Sequence, residues 1–298
     1  MKVGKLILDI LYHKLLRKTK NEIKEVKNFN VYPSLLDIPY KDDGLFNHKF
    51  DVIKAVENRN NICYLNVHGG AYMFSTHRNN YYYATKFVER GFDAVLLDYL
   101  PNDGKRNTID LIKDTLDNLL YVFEHKKELG LENDRFFIGG DSAGGHISLL
   151  CTLIVNNKDL QEKFGYDFKD NKVEAIILSC PVYDYETIGE AMTKAAQKRM
   201  FGLLYFDQEH RKEISPRTYI DKLDIPTFIC TAKKDFLRNE SLTLHQDLLD
   251  RGFKHEFIDI DSNDKKIGHI YNVDFPDYPI CVEVNNKIIE FLLQKLAK

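Results

Sequence analysis

The run Phe136-Phe137-Ile138-Gly139-Gly140-Asp141-Ser142-Ala143-Gly144-Gly145-His146 constrains the fold more than any other segment: a short apolar strand enters Gly-x-Ser-x-Gly and leaves as a helical pattern. A serine at the apex of so sharp a turn takes strained backbone angles. Gly140 and Gly144, two positions either side, let strand and helix approach without Cβ clashes. Ser142 then projects its hydroxyl from the carboxyl end of a sheet. The competing reading, a phosphate cradle at a helix N-terminus, lacks both a Lys-Ser/Thr ending and Gly-x-Gly-x-x-Gly spacing.

Around this segment, apolar β-branched runs alternate with helical patterns. Candidate strands are His48–Val56, Ile62–Val67, Asp93–Asp98, Arg135–Ile138, Val173–Ser179, Thr227–Thr231 and Glu256–Ile260. Candidate helices are Asn80–Glu89, Thr108–Lys127, Ala143–Asn156, Glu240–Arg251 and Ile280–Lys295. This order predicts an α/β fold with a mostly parallel central sheet and helices on both faces. Asn157–Asn171 is polar and reads as a surface loop, and Tyr185–Arg211, helix-prone and rich in apolar residues, reads as an inserted lid. The partition is one catalytic domain, 1–298, with cap elements from about 1–45 and 185–215.

Charge and cysteine usage narrow the function classes. With 42 Lys+Arg against 45 Asp+Glu, the net charge of −3 offers no basic field for nucleic acid. Cys63, Cys151, Cys180, Cys230 and Cys281 are odd in number, widely spaced and mostly set in apolar runs, so they read as reduced core residues of a cytoplasmic protein. Met1–Lys20 places Leu6, Ile7, Ile10, Leu11, Leu15 and Leu16 on one helical face, but Lys5, Asp9, His13 and Lys14 interrupt it, which excludes a transmembrane span. That helix reads as packed on its own protein, with a membrane-surface role as the minor alternative.

A second glycine turn, His68-Gly69-Gly70-Ala71-Tyr72, follows the strand Ile62–Val67. Consecutive glycines leave backbone N–H groups free to face a ligand, which acyl transfer requires where negative charge develops on oxygen. Gly69 and Gly70, with Ala143 after the serine, form the expected oxyanion hole. His68 reads as a structural residue that fixes the loop through its ring.

Together, His68-Gly69-Gly70-Ala71 and Gly140-Asp141-Ser142-Ala143-Gly144-Gly145 resemble the His-Gly-Gly-Gly and Gly-Asp-Ser-Ala-Gly-Gly motifs of hormone-sensitive-lipase-like esterases of the α/β-hydrolase fold. The resemblance runs from about residue 30 to the C-terminus. It implies a serine hydrolase of carboxylic esters with a cap over its site and no metal or organic cofactor. The order of the fold then places an acid after a late strand and a histidine after the next. Ala232-Lys233-Lys234-Asp235-Phe236-Leu237-Arg238-Asn239-Glu240 is similar to the family's Asp-x-Leu-x-Asp-Glu segment and Gly268-His269-Ile270-Tyr271 to its Gly-His-x-Phe pattern. Catalytic roles thus fall to Ser142 as nucleophile, His269 as base and Asp235 as orienting carboxylate. Asp184 and Glu240 are weaker acids, while His245, His255 and His146 read as structural.

Two departures stand out: Ala71 replaces the third glycine, and Tyr99-Leu100-Pro101-Asn102-Asp103-Gly104 replaces the usual Tyr-Arg-Leu-Ala-Pro-Glu. Tyr72, Phe74, Tyr81–Tyr83 and Met200–Phe206 either line an entrance or fill the core, and core is the favoured reading. The expected substrate is a small ester with a short acyl chain. Amide hydrolysis, by an aryl-formamidase or small peptidase, is the alternative, and a non-catalytic ligand-binding protein is the third. Glu256–Ile260 is a candidate sheet edge, through which a homodimer is expected.

Overall fold

The computed structural model describes residues 32, 34–131 and 135–296; the helix expected over Met1–Lys20 lies outside them. Eight strands form one sheet: β1 (Ser34–Pro39), β2 (Lys49–Ile53), β3 (Ile62–Val67), β4 (Asp93–Leu97), β5 (Arg135–Asp141), β6 (Ala175–Ser179), β7 (Thr227–Ala232) and β8 (His255–Ile260). Their spatial order is β1-β2-β4-β3-β5-β6-β7-β8. β3 through β8 run parallel, and β1 and β2 are antiparallel additions at one edge.

Period-two alternation in the buried strands feeds two cores, one on each face. Cys63, Leu65 and Val67 of β3 point to one side, where α2 (Thr108–Glu124) and α3 (Ala143–Asn156) pack. Ile62 and Tyr64 point to the other, against α1 (Tyr81–Val88) and α9 (Pro279–Leu296), with α8 (Tyr271–Asp274) leading into the last helix. Strands buried on both faces read as near-continuous apolar runs, which is why β3, β4 and β6 are legible in the sequence. All five cysteines are buried.

Two expectations are corrected. The stretch Asn157–Asn171 is not wholly loop: α4 (Lys158–Phe164) occupies its start, closed by Gly165 in the left-handed region at φ 80°. β1 falls outside the candidate strands because its exposed edge position, with Asp37 and Pro39 inside it, removes the apolar alternation that marks a strand. Residues 185–215 break into α5 (Lys194–Phe201), a 3-10 turn over Leu203–Phe206 and α6 (Gln208–Glu213). Phe201 and Tyr205 are buried beside Tyr72 and Tyr185, whereas Leu203, Leu204 and Phe206 are exposed. After β7 comes α7 (Arg238–Asp250). No helix among the described residues is long and apolar enough to cross a membrane.

Candidate active site

β4 lies on one side of β3 and β5 on the other, so the loops leaving β3 and β5 diverge and open a crevice at the carboxyl ends of the strands. Ser142 stands in that crevice between β5 and α3 with φ 53° and ψ −120°, a conformation costing about 1–3 kcal/mol that persists only where surroundings over-determine it. Here they do: Ser142 donates its N–H to Ser179 O at 3.0 Å, and its carbonyl accepts from Val182 and Gly145, each at 3.0 Å. The flanking glycines are obligatory. A Cβ on Gly140 would sit 2.3 Å from Gly144 O, and one on Gly144 would sit 2.3 Å from Val67 O.

The late loops of the sheet bring Asp235 and His269 to Ser142. His269 Nε2 lies 2.9 Å from Ser142 Oγ and Nδ1 lies 2.6 Å from Asp235 Oδ1. Asp235 is buried; its carboxylate also accepts from the Leu237 N–H and the Thr231 hydroxyl, both at 2.9 Å. Burial alone would raise its pKa, but the His269 contact and these donors outweigh it and hold the carboxyl below its usual range. Ile270, at φ 48°, turns the chain directly after His269 and gives its N–H to Cys180 Sγ at 3.2 Å. With Asp235 accepting on Nδ1, the neutral ring keeps Nε2 as the acceptor for the Ser142 proton.

The expectation for the oxyanion loop is corrected at Gly69. Its N–H is given to Asp141 Oδ1 at 3.1 Å, and a Cβ there would meet Asp141 Oδ2 at 2.3 Å. Asn80 Nδ2 donates to the same Oδ1 at 2.7 Å, and burial pushes the Asp141 pKa up. The N–H groups of Gly70, Ala71 and Ala143 have no hydrogen-bond partner among the described residues. Gly70, Ala71 and Tyr72 carry φ of 120°, 51° and 61° in succession, which turns these amides off the path of the strand. The reason Gly69 misleads is that its partner lies in the other glycine motif, 72 residues on.

His68 fastens this loop through its ring, as its place before the glycine turn predicts, but its partners are not legible as a motif. His68 is fully buried, its Nδ1 2.7 Å from Gly69 O and its Nε2 2.9 Å from Asp98 Oδ1, and it stacks on Tyr99, whose hydroxyl donates to His68 O. Asp98 also meets His77 Nδ1 at 2.6 Å, and His77 Nε2 lies 3.4 Å from Asp51, itself paired with Arg78. Burial works against the charge on His77, yet its two carboxylate partners raise its pKa to about 9. Asn102 donates to Tyr72 O at 2.7 Å through its backbone and to Met200 O through its side chain, joining this loop to α5.

The weaker candidates lie elsewhere. Glu240 accepts the Tyr183 and Asp184 N–H groups, and Asp184 pairs with Arg217. His146 is buried against Ile214 O, and burial lowers its pKa to about 4. His245 and His255 contact each other across α7 and β8.

A mostly parallel sheet of this order, with a strained serine between β5 and α3 and a histidine and carboxylate on the late loops, defines an α/β hydrolase. The BD-FAE family model matches residues 51–248, more than half of the chain, and the protein belongs to that family. Among known proteins it is 28% identical over 180 residues to the probable carboxylic ester hydrolase LipM of Mycobacterium tuberculosis, covering 59% of this chain and 41% of that protein. It is also 28% identical to esterase LipQ of the same organism over 208 residues, covering 67% of this chain and 48% of LipQ. The chain thus spans less than half the length of these curated relatives. Esterase B from Lactobacillus rhamnosis has a similar structure, with a TM-score of 0.81 at 18% identity over 97% of this chain and 95% of that one. A bacterial heroin esterase follows with a TM-score of 0.73 at 17% identity over 96% and 92% of the two chains.

Proposed function

We propose that the protein is a serine carboxylesterase acting on small esters of short acyl chains. The observation that carries this reading is the hydrogen-bonded series Ser142–His269–Asp235 beside N–H groups of Gly70, Ala71 and Ala143 that have no partner among the described residues. The names of LipM and LipQ, a carboxylic ester hydrolase and an esterase, favour the ester bond over the amide.

In this mechanism the Ser142 oxygen attacks the ester carbonyl while its proton passes to His269 Nε2. The carbonyl oxygen becomes an oxyanion received by the N–H groups of Gly70, Ala71 and Ala143, each such donor being worth about 3 kcal/mol in the transition state. Asp235 holds Nδ1–H and stabilises the imidazolium. His269 then delivers the proton to the leaving alcohol oxygen as the C–O bond breaks, and water cleaves the acyl-enzyme by the same steps. The N-terminal end of α3 adds a favourable field at the oxyanion.

Residues 185–215, which leave after β6 and return before β7 on the same side as Ser142, serve as the cap in this reading, and the chain acts as one catalytic domain. The five buried cysteines, odd in number and set in the core, support a reducing compartment, the cytoplasm. β8 ends the sheet and supports a homodimer formed edge to edge.

The test is hydrolysis of p-nitrophenyl acetate, butyrate and decanoate by the wild type beside Ser142→Ala. Turnover of the acetate and butyrate that falls at least 10⁴-fold in the variant is the expected result. Activity that survives Ser142→Ala removes the nucleophile, and a wild type inert to all three esters removes the esterase reading.

A further inference from the structure

Among the described large apolar residues, Phe236 is the most exposed, at 76%, yet it adjoins one of the most confined parts of the molecule. It follows buried Asp235 directly, and its ring lies against the His269 ring with centroids 4.2 Å apart and planes tilted by 40°. An aromatic side chain left in water on a loose loop would call for no account. Here the backbone on both sides is pinned. Asp235 donates its N–H to Ala232 O at 2.9 Å, Arg238 donates to Asp235 O at 3.1 Å, and Leu237 N–H is held by the Asp235 carboxylate. Phe236 is thus a rigid aromatic face held at the proposed base.

Its position relative to the reaction assigns it a side of the substrate. His269 Nε2 must reach the alcohol oxygen as the ester breaks, so the alcohol moiety lies along the imidazole. The acyl carbon and its oxyanion lie toward Ser142 and the amides of Gly70, Ala71 and Ala143. Phe236, exposed and lying against the imidazole, covers that ring toward solvent, the side that the esterase reading leaves to the departing alcohol. Among the described residues the Phe236 ring has no ring contact besides His269, and a flat, weakly polar group can take its open face in an offset-stacked or edge-to-face arrangement.

We propose that Phe236 is a binding platform for the alcohol portion of the ester, and that it selects aryl over alkyl alcohols. This rests on the esterase reading above. The contribution of one aromatic pair amounts to about 3- to 10-fold in kcat/KM.

The experiment holds the acyl group constant and varies the alcohol: phenyl and 2-naphthyl acetate against ethyl and cyclohexylmethyl acetate, with wild type, Phe236→Ala and Phe236→Trp. The expected result is an aryl-to-alkyl ratio of kcat/KM that falls about 3- to 10-fold in Phe236→Ala, chiefly through KM, and is retained or raised in Phe236→Trp. A ratio that stays at the wild-type value, with all esters slowed together, overturns the proposal and leaves Phe236 as a support for His269. Fluorescence titration of 2-naphthol into Ser142→Ala, with and without Phe236→Ala, reads the same platform without turnover. Weaker 2-naphthol binding in the double variant supports the platform even if no ester is cleaved, and equal binding in both proteins overturns it while the esterase reading stands on its own test.

Discussion

On the β3–β4 side of Ser142 the loop of residues 68–72 is tied down by buried charge, whereas on the β7–β8 side His269 is held by a single carboxylate, a backbone N–H on sulfur and an exposed aromatic ring. Asp98, His68, His77 and Asp51 are essentially excluded from solvent, and Asp141 nearly so. The comparison teaches a division of labour. In the proposed reaction the N–H donors must be aimed before the chemistry begins, and a strained loop stays aimed only when its surroundings cannot relax. The proposed base has to accept and release a proton, so its partners hold it by a short series of bonds through one carboxylate. Changes on the base side should therefore cost rate, and changes on the amide side should cost stability as well.

The sharpest test of that contrast is Asp235→Asn. Loss of the carboxylate reverses the preferred tautomer of His269, and kcat is expected to fall about 10⁴-fold. Asp235→Asn is nearly isosteric, so the urea midpoint should move far less than in the next variant. Asp98→Asn, on the other wall, leaves two buried histidines facing a neutral amide, and urea unfolding should show a loss of about 3–5 kcal/mol. If Asp98→Asn unfolds at the wild-type midpoint, the loop is not held by charge and the contrast fails.

Alkaline pH probes the same wall without a substitution. The pKa of His77 is raised from 6.5 to about 9 in the fold, so protonated His77 is favoured by the native state. The stabilisation it brings is complete below about pH 6.5 and is lost as pH rises through about 9, a change of roughly 3 kcal/mol. Urea unfolding of wild type and His77→Gln from pH 6 to 10 should converge at the alkaline end. A constant difference across that range would count against the charged pair. The smallest effect belongs to Thr231→Val, which removes one donor from Asp235 at 2.9 Å. It should cost about 1 kcal/mol and slow turnover only several-fold, which a kinetic comparison with Asp235→Asn would resolve.

The same contrast describes what could be read in the sequence. The base-side residues, Asp235 and His269, stand at the ends of two apolar strands in the order that the hydrolase topology dictates, and each belongs to a short local pattern. The supports of the amide loop are contacts between distant segments. Asp98 is indistinguishable from any acidic residue ending a strand, and nothing near His77, Asp51 or Asn80 announces a partner. Gly69 misleads for the same reason: glycine signals an available backbone, and only the third dimension reveals that Asp141 takes its N–H. β3, β4 and β6 were visible through two-sided burial, while β1, an exposed edge strand interrupted by Asp37 and Pro39, was not.

The excursion between β6 and β7 departs and comes back at one spot. Tyr185 donates its N–H to Ser215 Oγ at 3.2 Å and its hydroxyl to Thr108, and Ile214 O is fastened to His146 of α3. These contacts bring the two ends of the segment 186–213 together, and Asn102, Asn107 and Thr108 hold its middle through Met200, Leu204 and Phe201. Once such ends are joined, doubling the length of chain strung between them costs only about 0.6 kcal/mol of closure entropy. A segment closed at its base in this way can lengthen or shorten at little entropic cost to the sheet beneath it, as long as its ties to residues 102–108 are kept.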